Sequence, residues 1–224
     1  MRRPDLGDVP VALLAGGRAT RLGALAARTP KSLIDVAGRP FIDHQLELLR
    51  GLGVRRVVLC LGHLGDKVEA HVRARDYGME LRFSHDGERP LGTAGALRQA
   101  RPLLGGLFFV LYGDSYLEMD YAPLLQALPP PPALGVVAVL RNEGRWERSN
   151  VLFENGRVAR YDKAAPTPDM RHVDHGVALL RGDALALVPD EGACDLGDLY
   201  ARLAEQGALA GHEVHHRFYE IGSA

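Results

Sequence analysis

The sequence predicts an α/β domain with a mostly parallel sheet, helices on both faces and a small antiparallel accessory hairpin. The predicted strands are continuously hydrophobic, as expected where both faces of a sheet are covered. Helical patterns alternate with these strands over the first two-thirds of the chain, an order typical of parallel sheets. The length of 224 residues suits a single domain spanning residues 1–224.

The first half of the chain supplies the parallel strands. We expect strands at residues 9–15, 55–61, 80–85 and 107–112. Helices are expected at residues 40–51, 66–75 and 93–101, and Pro102 is expected to end the third of them. Pro40 suits the first turn of its helix, where its missing N–H costs no hydrogen bond.

The last third of the chain has a different pattern. Residues 150–153 and 157–161 are rich in β-forming residues and flank Glu154-Asn155-Gly156. Asn-Gly between two such segments is a strong signal for a β-hairpin. We therefore expect an accessory antiparallel part at about residues 141–180. Further strands are expected at residues 134–140, 173–180 and 213–221, and a helix at residues 196–206.

Composition excludes several classes of protein. Hydrophobic residues make up 46% of the chain and charged residues 25%, which excludes wholesale disorder. Lys and Arg number 27 against 28 Asp and Glu, for a net charge of −1. This balance argues against nucleic-acid or membrane partners that depend on bulk positive charge. The two cysteines form no disulfide framework, and no hydrophobic stretch is long enough to span a membrane. We expect a cytoplasmic protein, with homo-oligomer formation left open.

A glycine-rich segment follows the first predicted strand. Gly16 and Gly17 end this strand, and the cations Arg18, Arg21 and Lys31 follow. Paired glycines let backbone amides approach a ligand closely and form an anion-binding concavity. The combination of glycines and cations predicts a polyphosphate site. The spacing matches neither a dinucleotide fingerprint nor a Walker A loop.

A carboxylate follows the fourth predicted strand. Asp114 comes after a hydrophobic strand at the sheet edge where ligands bind in open α/β folds. A carboxylate oxygen there is a hard ligand suited to Mg²⁺. The alternative is that Asp114 caps the next segment.

Seven segments of the chain together resemble one family, the sugar-1-phosphate nucleotidyltransferases or NDP-sugar pyrophosphorylases. The segments are LAGGRATRL at 14–22, PKSL at 30–33, VAGRP at 36–40, PLGTAGA at 90–96, YGD at 112–114, YDK at 161–163 and FYEIG at 218–222. The resemblance implies a Rossmann-like fold that binds a nucleoside triphosphate and Mg²⁺. It also implies that a sugar phosphate oxygen attacks the α-phosphorus and that pyrophosphate leaves.

The resemblance also implies roles for individual residues. The catalytic set comprises Arg21, which would hold the leaving pyrophosphate, Lys31 beside the α-phosphate, and Asp114. The residues implied to bind the nucleotide are Leu14, Ala15, Gly16, Gly17, Arg18, Thr20, Leu91, Gly92 and Thr93. The residues implied to bind the sugar phosphate are Lys163, His175 and Gly176. Asp114 and Glu220 are the implied metal ligands, although relatives usually carry aspartate at the second position.

Two departures from the family pattern affect these expectations. Ala19 replaces a glycine of the loop, and Asp174-His175-Gly176 stands where many relatives carry Asn-x-Gly. The segment at 90–96 favours GTP with a heptose or mannose 1-phosphate. A uridylyl- or thymidylyltransferase for another sugar 1-phosphate is one alternative, and a non-catalytic domain that senses nucleotide sugars is another. The role of Trp146, the only tryptophan, is left open.

Overall fold

A nine-stranded mixed sheet forms the centre of the structure. The computed structural model describes residues 5–17, 29–142, 144–145 and 148–221. The strands are β1 (Val11–Leu14), β2 (Asp35–Val36), β3 (Arg39–Pro40), β4 (Arg56–Leu61), β5 (Glu80–His85), β6 (Leu107–Tyr112), β7 (Ser115–Tyr116), β8 (Gly135–Arg141), β9 (Val151–Glu154), β10 (Arg157–Tyr161), β11 (His172–Arg181), β12 (Leu209–Val214) and β13 (Tyr219–Glu220). The main sheet has the order β5-β4-β1-β6-β11-β8-β12-β10-β9, while β2 pairs with β3 and β7 with β13.

The helices cover both faces of this sheet, as predicted. They are α1 (Phe41–Gly51), α2 (Gly65–Arg73), α3 (Gly92–Leu104), α4 (Ala122–Ala127) and α5 (Leu196–Glu205). Ala12 and Leu14 of β1 join a hydrophobic core with α3 and α5. Val11 and Leu13 point the other way into a second core with α1, α2 and α4. Burial on both faces explains why the strand sequences are continuously hydrophobic.

The parallel half of the sheet is the part predicted from the first half of the chain. The strands β5, β4, β1 and β6 are parallel neighbours. Their carboxyl ends therefore lie along one edge, and the loops that follow them carry Gly16, Gly62, Asp86 and Asp114. This edge is where an open α/β sheet binds ligands.

The antiparallel part is larger than the predicted accessory hairpin. The hairpin of β9 and β10 is present, and its turn residues Asn155 and Gly156 both have positive φ, as the Asn-Gly signal predicts. In addition, β11 runs antiparallel to both β6 and β8. Because β8 and β12 are parallel to each other, the second half of the sheet is mixed.

Two predicted boundaries are wrong. The helix α3 continues through Pro102 to Leu104, whose side chain is only 1% exposed and packs in the core. The loss of one backbone hydrogen bond at Pro102 is offset by that burial. The last long strand, predicted at residues 213–221, is β12 at Leu209–Val214, because its parallel pairing with β8 begins at Leu209. Only the short strand β13 lies within the later part of the predicted range.

The start of α3 is joined directly to the start of α5. The amides of Ala94 and Gly95 donate to the Cys194 carbonyl at 2.9 and 3.2 Å, and the Cys194 amide donates to the Leu91 carbonyl at 2.9 Å. The Leu196 amide donates to Thr93 Oγ1 at 2.6 Å. These contacts fix the segment at Leu91–Thr93 against the first turn of α5.

Among the described residues, none of the helices combines the length and hydrophobicity that crossing a membrane requires.

Gly92 is the position at which this contact is most sensitive to substitution. Its φ is +74°, and an added Cβ would lie 2.7 Å from the Cys194 carbonyl carbon. We expect Gly92→Ala to lower the free energy of unfolding by roughly 2–5 kcal/mol, through left-handed strain plus overpacking. The measurement is urea denaturation.

Gly53→Ala is the matched control for this substitution. Gly53 has φ +90°, and an added Cβ would have no atom within 4 Å. The free energy of unfolding of the Gly53→Ala variant should therefore fall only by the strain contribution, about 1–2 kcal/mol. Equal losses in the two variants would show that the contact with Cys194 is not tight.

Candidate active site

A cavity of about 630 Å³ lies at the carboxyl ends of the parallel strands. Eight of the predicted nucleotide-binding and catalytic residues line it: Leu14, Ala15, Gly16, Gly17, Lys31, Gly92, Thr93 and Asp114. They come from the loops after β1 and β6, from a 3₁₀ helix at Lys31–Leu33 and from the first turn of α3. The sheet edge thus brings together residues that lie far apart in the sequence.

The central charged contact of this cavity is an ion pair. Lys31 Nζ donates to Asp114 Oδ2 at 2.8 Å, and the two side chains are 23% and 33% exposed. Both groups therefore remain accessible from the cavity. A polyphosphate bound with a divalent cation would offer each of them a new partner, a phosphate oxygen for the ammonium and the cation for the carboxylate.

Two glycines allow the loops around this pair to pack tightly. A Cβ on Gly16 would lie 2.8 Å from the Gly62 amide nitrogen, and a Cβ on Gly113 would lie 2.7 Å from the Leu14 carbonyl oxygen. The Gly113 amide donates to that Leu14 carbonyl at 2.9 Å. A side chain at Gly16 would push the loops after β1 and β4 apart, and one at Gly113 would push the turn before Asp114 away from the end of β1.

Gln45, which sequence reasoning missed, holds the turn that presents Asp114. Its Nε2 donates to the carbonyls of Tyr112 at 3.0 Å and Ser115 at 2.9 Å, on either side of Asp114. The side chain is only 3% exposed. In the sequence, Gln45 could have been noticed as a polar amide on the same helix face as the hydrophobic residues Ile42, Leu46 and Leu49, all of which are buried in α1.

Glu220 is brought next to Asp114 by backbone pairing. The strand β13 places Glu220 opposite Ser115, and the Ile221 amide donates to the Asp114 carbonyl at 2.9 Å. No group of three or more metal-ligating side chains is found in the part of the chain that the structure describes. The chemistry of the two residues nevertheless fits Mg²⁺, which commonly binds one or two carboxylates together with substrate phosphates and water.

A second cavity of about 580 Å³ adjoins the first and shares Thr93, Tyr112 and Asp195 with it. Lys163, which follows β10, lines this second cavity. Its ammonium lies 5.6 Å from the Tyr112 ring centroid and 5.8 Å from that of Tyr161. The cation is thus held above two aromatic faces and can meet an anionic ligand.

Asp174 supports the wall beneath Lys163. The Tyr161 hydroxyl donates to Asp174 Oδ2 at 2.9 Å, and the Gly176 amide donates to Asp174 Oδ1 at 2.9 Å. Burial, with contributions from nearby carboxylates, chiefly Asp174 and Asp114, raises the pKa of the Tyr112 phenol well above its ordinary value. Both cavities therefore share a neutral phenol at their junction.

Comparison with known proteins identifies the family. Residues 11–145, more than half of the chain, match the family described as nucleotidyl transferase. The chain belongs to this family.

Individual relatives of this chain are distant. The catalytic subunit beta of mannose-1-phosphate guanylyltransferase from Drosophila melanogaster is 29% identical over 98% of the chain and 61% of that protein. The Danio rerio subunit of the same name is 28% identical over 94% of the chain and 60% of that protein. The chain thus spans about three-fifths of the length of these relatives.

Solved structures confirm the fold of this chain. HddC from Yersinia pseudotuberculosis, complexed with GMP-PN, matches with a TM-score of 0.79 and 22% identity, covering 96% of this chain and 94% of that one. A putative glucose-1-phosphate thymidylyltransferase from Bacillus anthracis has a TM-score of 0.80 and 18% identity, covering 96% and 90%.

The other predicted site residues lie at varying distances from the two cavities. Leu91 is not itself on the cavity wall, but its two neighbours in the chain, Pro90 and Gly92, both line the first cavity. Gly176 approaches the shared Tyr112, since an added Cβ would lie 3.7 Å from its ring. Predictions for Arg18, Thr20 and Arg21, and the questions raised about Ala19 and Trp146, fall outside the described residues.

His175 does not lie on the wall of either cavity as the structure describes them. It is 1% exposed, its Nε2 donates to the His216 carbonyl at 2.8 Å, and its ring packs edge-on against Phe218 at 5.6 Å. Burial lowers its pKa. The alternation of a strand explains this position, because neighbouring residues such as Asp174 and His175 face opposite sides of the sheet.

The Gln45 contact generates a stability prediction. Gln45→Glu would direct a carboxylate at two carbonyl oxygens, so we expect a loss of roughly 2–4 kcal/mol at pH 8. Burial should raise the pKa of this new carboxyl in the folded state above its unfolded value of about 4.3. The folded protein would then bind the proton more tightly, so the loss should shrink as the pH falls toward 5.

Gln45→Met is the matched control, because it has a similar shape and no titratable group. The measurement is chemical denaturation of both variants at pH 5 and pH 8. A difference between the two variants that does not change with pH would contradict the assigned contact.

Proposed function

We propose that this chain transfers a nucleoside monophosphate from a nucleoside triphosphate to a sugar 1-phosphate and releases pyrophosphate. The observation that carries the proposal is the arrangement of two cavities that meet at Tyr112, with the Lys31–Asp114 pair beside the junction. The first cavity has the glycines and the cation suited to a triphosphate. The second has Lys163, suited to the phosphate of the sugar.

The proposed reaction joins the two ligands at this junction. An oxygen of the sugar phosphate attacks the α-phosphorus, and the bond from the α-phosphorus to the bridging oxygen breaks. Pyrophosphate leaves with that electron pair, so negative charge develops on the α-phosphate and on the leaving group. Catalysis therefore depends on positioning and on cations more than on proton transfer.

The residues of this chain divide that work. Lys31 meets the charge that develops on the α-phosphate, and the amides of Gly16 and Gly17 hold the triphosphate. Asp114 and Glu220 would hold Mg²⁺, which neutralises charge on the phosphates when bound. Arg21, with Arg18, is proposed to bind the leaving pyrophosphate, and the Thr20 hydroxyl is proposed to bind the triphosphate.

On the sugar side, Lys163 and Gly176 are proposed to form the site itself. His175 is proposed to act indirectly. Its contacts with His216 and Phe218 fix the segment that leads to Glu220, two residues beyond Phe218. This role replaces the direct sugar contact expected from the sequence.

GTP with a mannose or heptose 1-phosphate is the proposed substrate pair. The names of the Drosophila and Danio relatives and the GMP-PN bound to HddC support guanine. The thymidylyltransferase neighbour keeps a pyrimidine nucleotide as the alternative. A non-catalytic sensor of nucleotide sugars would not need the Lys31–Asp114 pair, so the presence of this pair supports an enzyme.

A cytoplasmic location is also proposed, because Cys60 and Cys194 are both free thiols.

A pyrophosphate-release screen tests the proposed function. Four nucleoside triphosphates are combined with a panel of sugar 1-phosphates in the presence of Mg²⁺. We expect release that requires both substrates and is fastest with GTP. Tight nucleotide-sugar binding without release in any combination would instead favour the sensor.

Lys31→Ala separates a role in the transition state from one in binding. Loss of one preorganised donor typically lowers kcat by about 10²–10³, while the loop amides should keep nucleotide affinity within roughly tenfold. The measurements are steady-state turnover and calorimetric binding of the nucleotide. Lys67→Ala, which removes the same charge from the exposed face of α2, is the control and should retain activity. Collapse of nucleotide binding with unchanged turnover at saturation would make Lys31 an anchor for the ground state.

A further inference from the structure

A third cavity, of about 530 Å³, carries two arginines and has no role in the chemistry above. Arg148 and Ser149 line it from the segment before β9, and Thr167 and Arg171 line it from the segment between β10 and β11. In the part of the chain that the structure describes, none of the residues that line this cavity is an aspartate or a glutamate. We call it the arginine cavity.

The two guanidinium groups of the arginine cavity have few partners within the chain. Both arginines are exposed. Arg148 Nη2 donates one long hydrogen bond, at 3.4 Å, to the Pro166 carbonyl, and neither arginine forms an ion pair with a described carboxylate. Asp169, an acidic residue of the same segment, is held instead by the Thr167 hydroxyl and the Met170 amide. The cavity therefore has a positive charge that the described residues do not neutralise.

Ser149 adds a neutral donor to the arginine cavity. The residue is only 9% exposed, and its Oγ accepts a hydrogen bond from Asn142 Nδ2 at 3.0 Å. Because a hydroxyl group both accepts and donates, the Ser149 proton is left for a further acceptor. No such acceptor is found among the described residues. A buried donor without an acceptor costs free energy, and a ligand oxygen at this wall would remove that cost.

This set of donors is suited to a phosphate group. A guanidinium presents a planar fork of N–H donors that matches two oxygens of a phosphate, and such charge-assisted hydrogen bonds are about twice as strong as neutral ones. Two forks and one hydroxyl suffice for the three terminal oxygens of a phosphate monoester. A cavity of about 530 Å³ also has room for a small organic group on that phosphate.

Asn150 connects the arginine cavity to the sugar side of the proposed active site. Its amide donates to the His172 carbonyl at 2.9 Å, and its carbonyl accepts from the Asp162 amide at 2.9 Å. Its Oδ1 accepts from the Asp174 amide at 3.2 Å. Lys163 follows Asp162 in the chain, and Asp174 supports the wall beneath Lys163. One residue thus ties together the segments that carry the sugar side.

The two arginines flank this connection. Arg148 precedes Asn150 by two residues, and Arg171 directly precedes His172, whose carbonyl accepts the Asn150 amide. A phosphate bound by both arginines would hold the two segments together beside Asn150. Since a ligand that orders a segment lowers the entropy that the next ligand must lose, the sugar 1-phosphate would then bind more tightly.

We propose that the arginine cavity binds the phosphate group of a small molecule and that this binding increases the affinity of the protein for its sugar 1-phosphate. The cavity is separate from the proposed active site, because neither Lys31, Lys163 nor Asp114 lines it. The coupling to the sugar rests on the proposed function, whereas the binding of phosphate does not.

Calorimetric titration with inorganic phosphate tests the binding. Loss of one charged hydrogen-bond partner typically weakens binding roughly 10–100-fold, and we expect this for Arg148→Gln and for Arg171→Gln. Phosphate that enters the proposed active site binds wild type and variants alike, so the difference between them reports on the arginine cavity. Equal affinity of phosphate for all three proteins would overturn the proposal.

Arg101→Gln is the matched control for the loss of charge. Arg101 is exposed near the end of α3 and does not line the arginine cavity. Its substitution should leave the affinity for phosphate unchanged. A loss in Arg101→Gln as large as that in Arg171→Gln would show that phosphate responds only to net charge, which would also overturn the proposal.

Glycerol 3-phosphate distinguishes the two sources of a phosphate group. Tighter binding of this ester than of inorganic phosphate would support a phosphorylated metabolite as the ligand, and the reverse order would support the free ion. Glycerol itself should not bind, because the proposed contacts are made to the phosphate.

Initial rates test the coupling. In wild type, phosphate at constant ionic strength and free Mg²⁺ should lower KM for the sugar 1-phosphate about fivefold or more and leave kcat unchanged. In Arg171→Gln only competition at the active site remains, so phosphate should raise this KM or leave it unchanged. Formation of the NDP-sugar is followed by chromatography, because added phosphate interferes with detection of the released pyrophosphate. The same response of KM in both proteins would overturn the coupling.

The two measurements separate failure of this inference from failure of the proposed function. Absence of turnover with every pair of substrates would overturn the proposed function. Calorimetry needs no turnover, so it would still decide whether the arginine cavity binds phosphate.

Discussion

The contact on which the site depends is the ion pair between Lys31 and Asp114. The two residues are 83 positions apart in sequence, yet their charged atoms are 2.8 Å apart. The parallel pairing of β1 with β6 places the turn that carries Asp114 beside the end of β1. Lys31 reaches this turn from the separate 3₁₀ helix at Lys31–Leu33. Gly113 packs against the Leu14 carbonyl, and Gln45 holds the carbonyls on both sides of Asp114. The pair is partly exposed, so a ligand can exchange its partners without unfolding the turn.

A second constraint joins the two cavities. The segment that ends at Thr93 belongs to the wall of the first cavity, and the first turn of α5 belongs to the wall of the second. Backbone hydrogen bonds at Cys194 and the contact between Thr93 and Leu196 lock these walls together. Asp195 lines both cavities. The distance between the proposed nucleotide and sugar sites is therefore set by backbone contacts.

The parallel half of the fold and the core of the site could be predicted from the sequence. Continuous hydrophobic strands, the glycine pair and a carboxylate after a strand each leave a local signal. The resemblance names both Lys31 and Asp114 as catalytic residues, but it does not predict their direct hydrogen bond. The size of the antiparallel half could not be predicted, because β11 owes its place to long-range pairing with β6 and β8. Gln45 was missed because a buried amide looks like any polar residue until its two carbonyl partners are known. His175 was expected in the sugar site because its motif position suggested it, but the orientation of its strand directs it to the His216 carbonyl.

The most direct test of the central claim is a crystal structure of the protein with Mg²⁺ and a non-hydrolysable nucleoside triphosphate analogue. The α-phosphate should lie within hydrogen-bond distance of Lys31 Nζ, with the metal ion on Asp114 and the direct Lys31–Asp114 hydrogen bond broken. An α-phosphate bound away from the junction of the two cavities, with the Lys31–Asp114 pair intact, would contradict it.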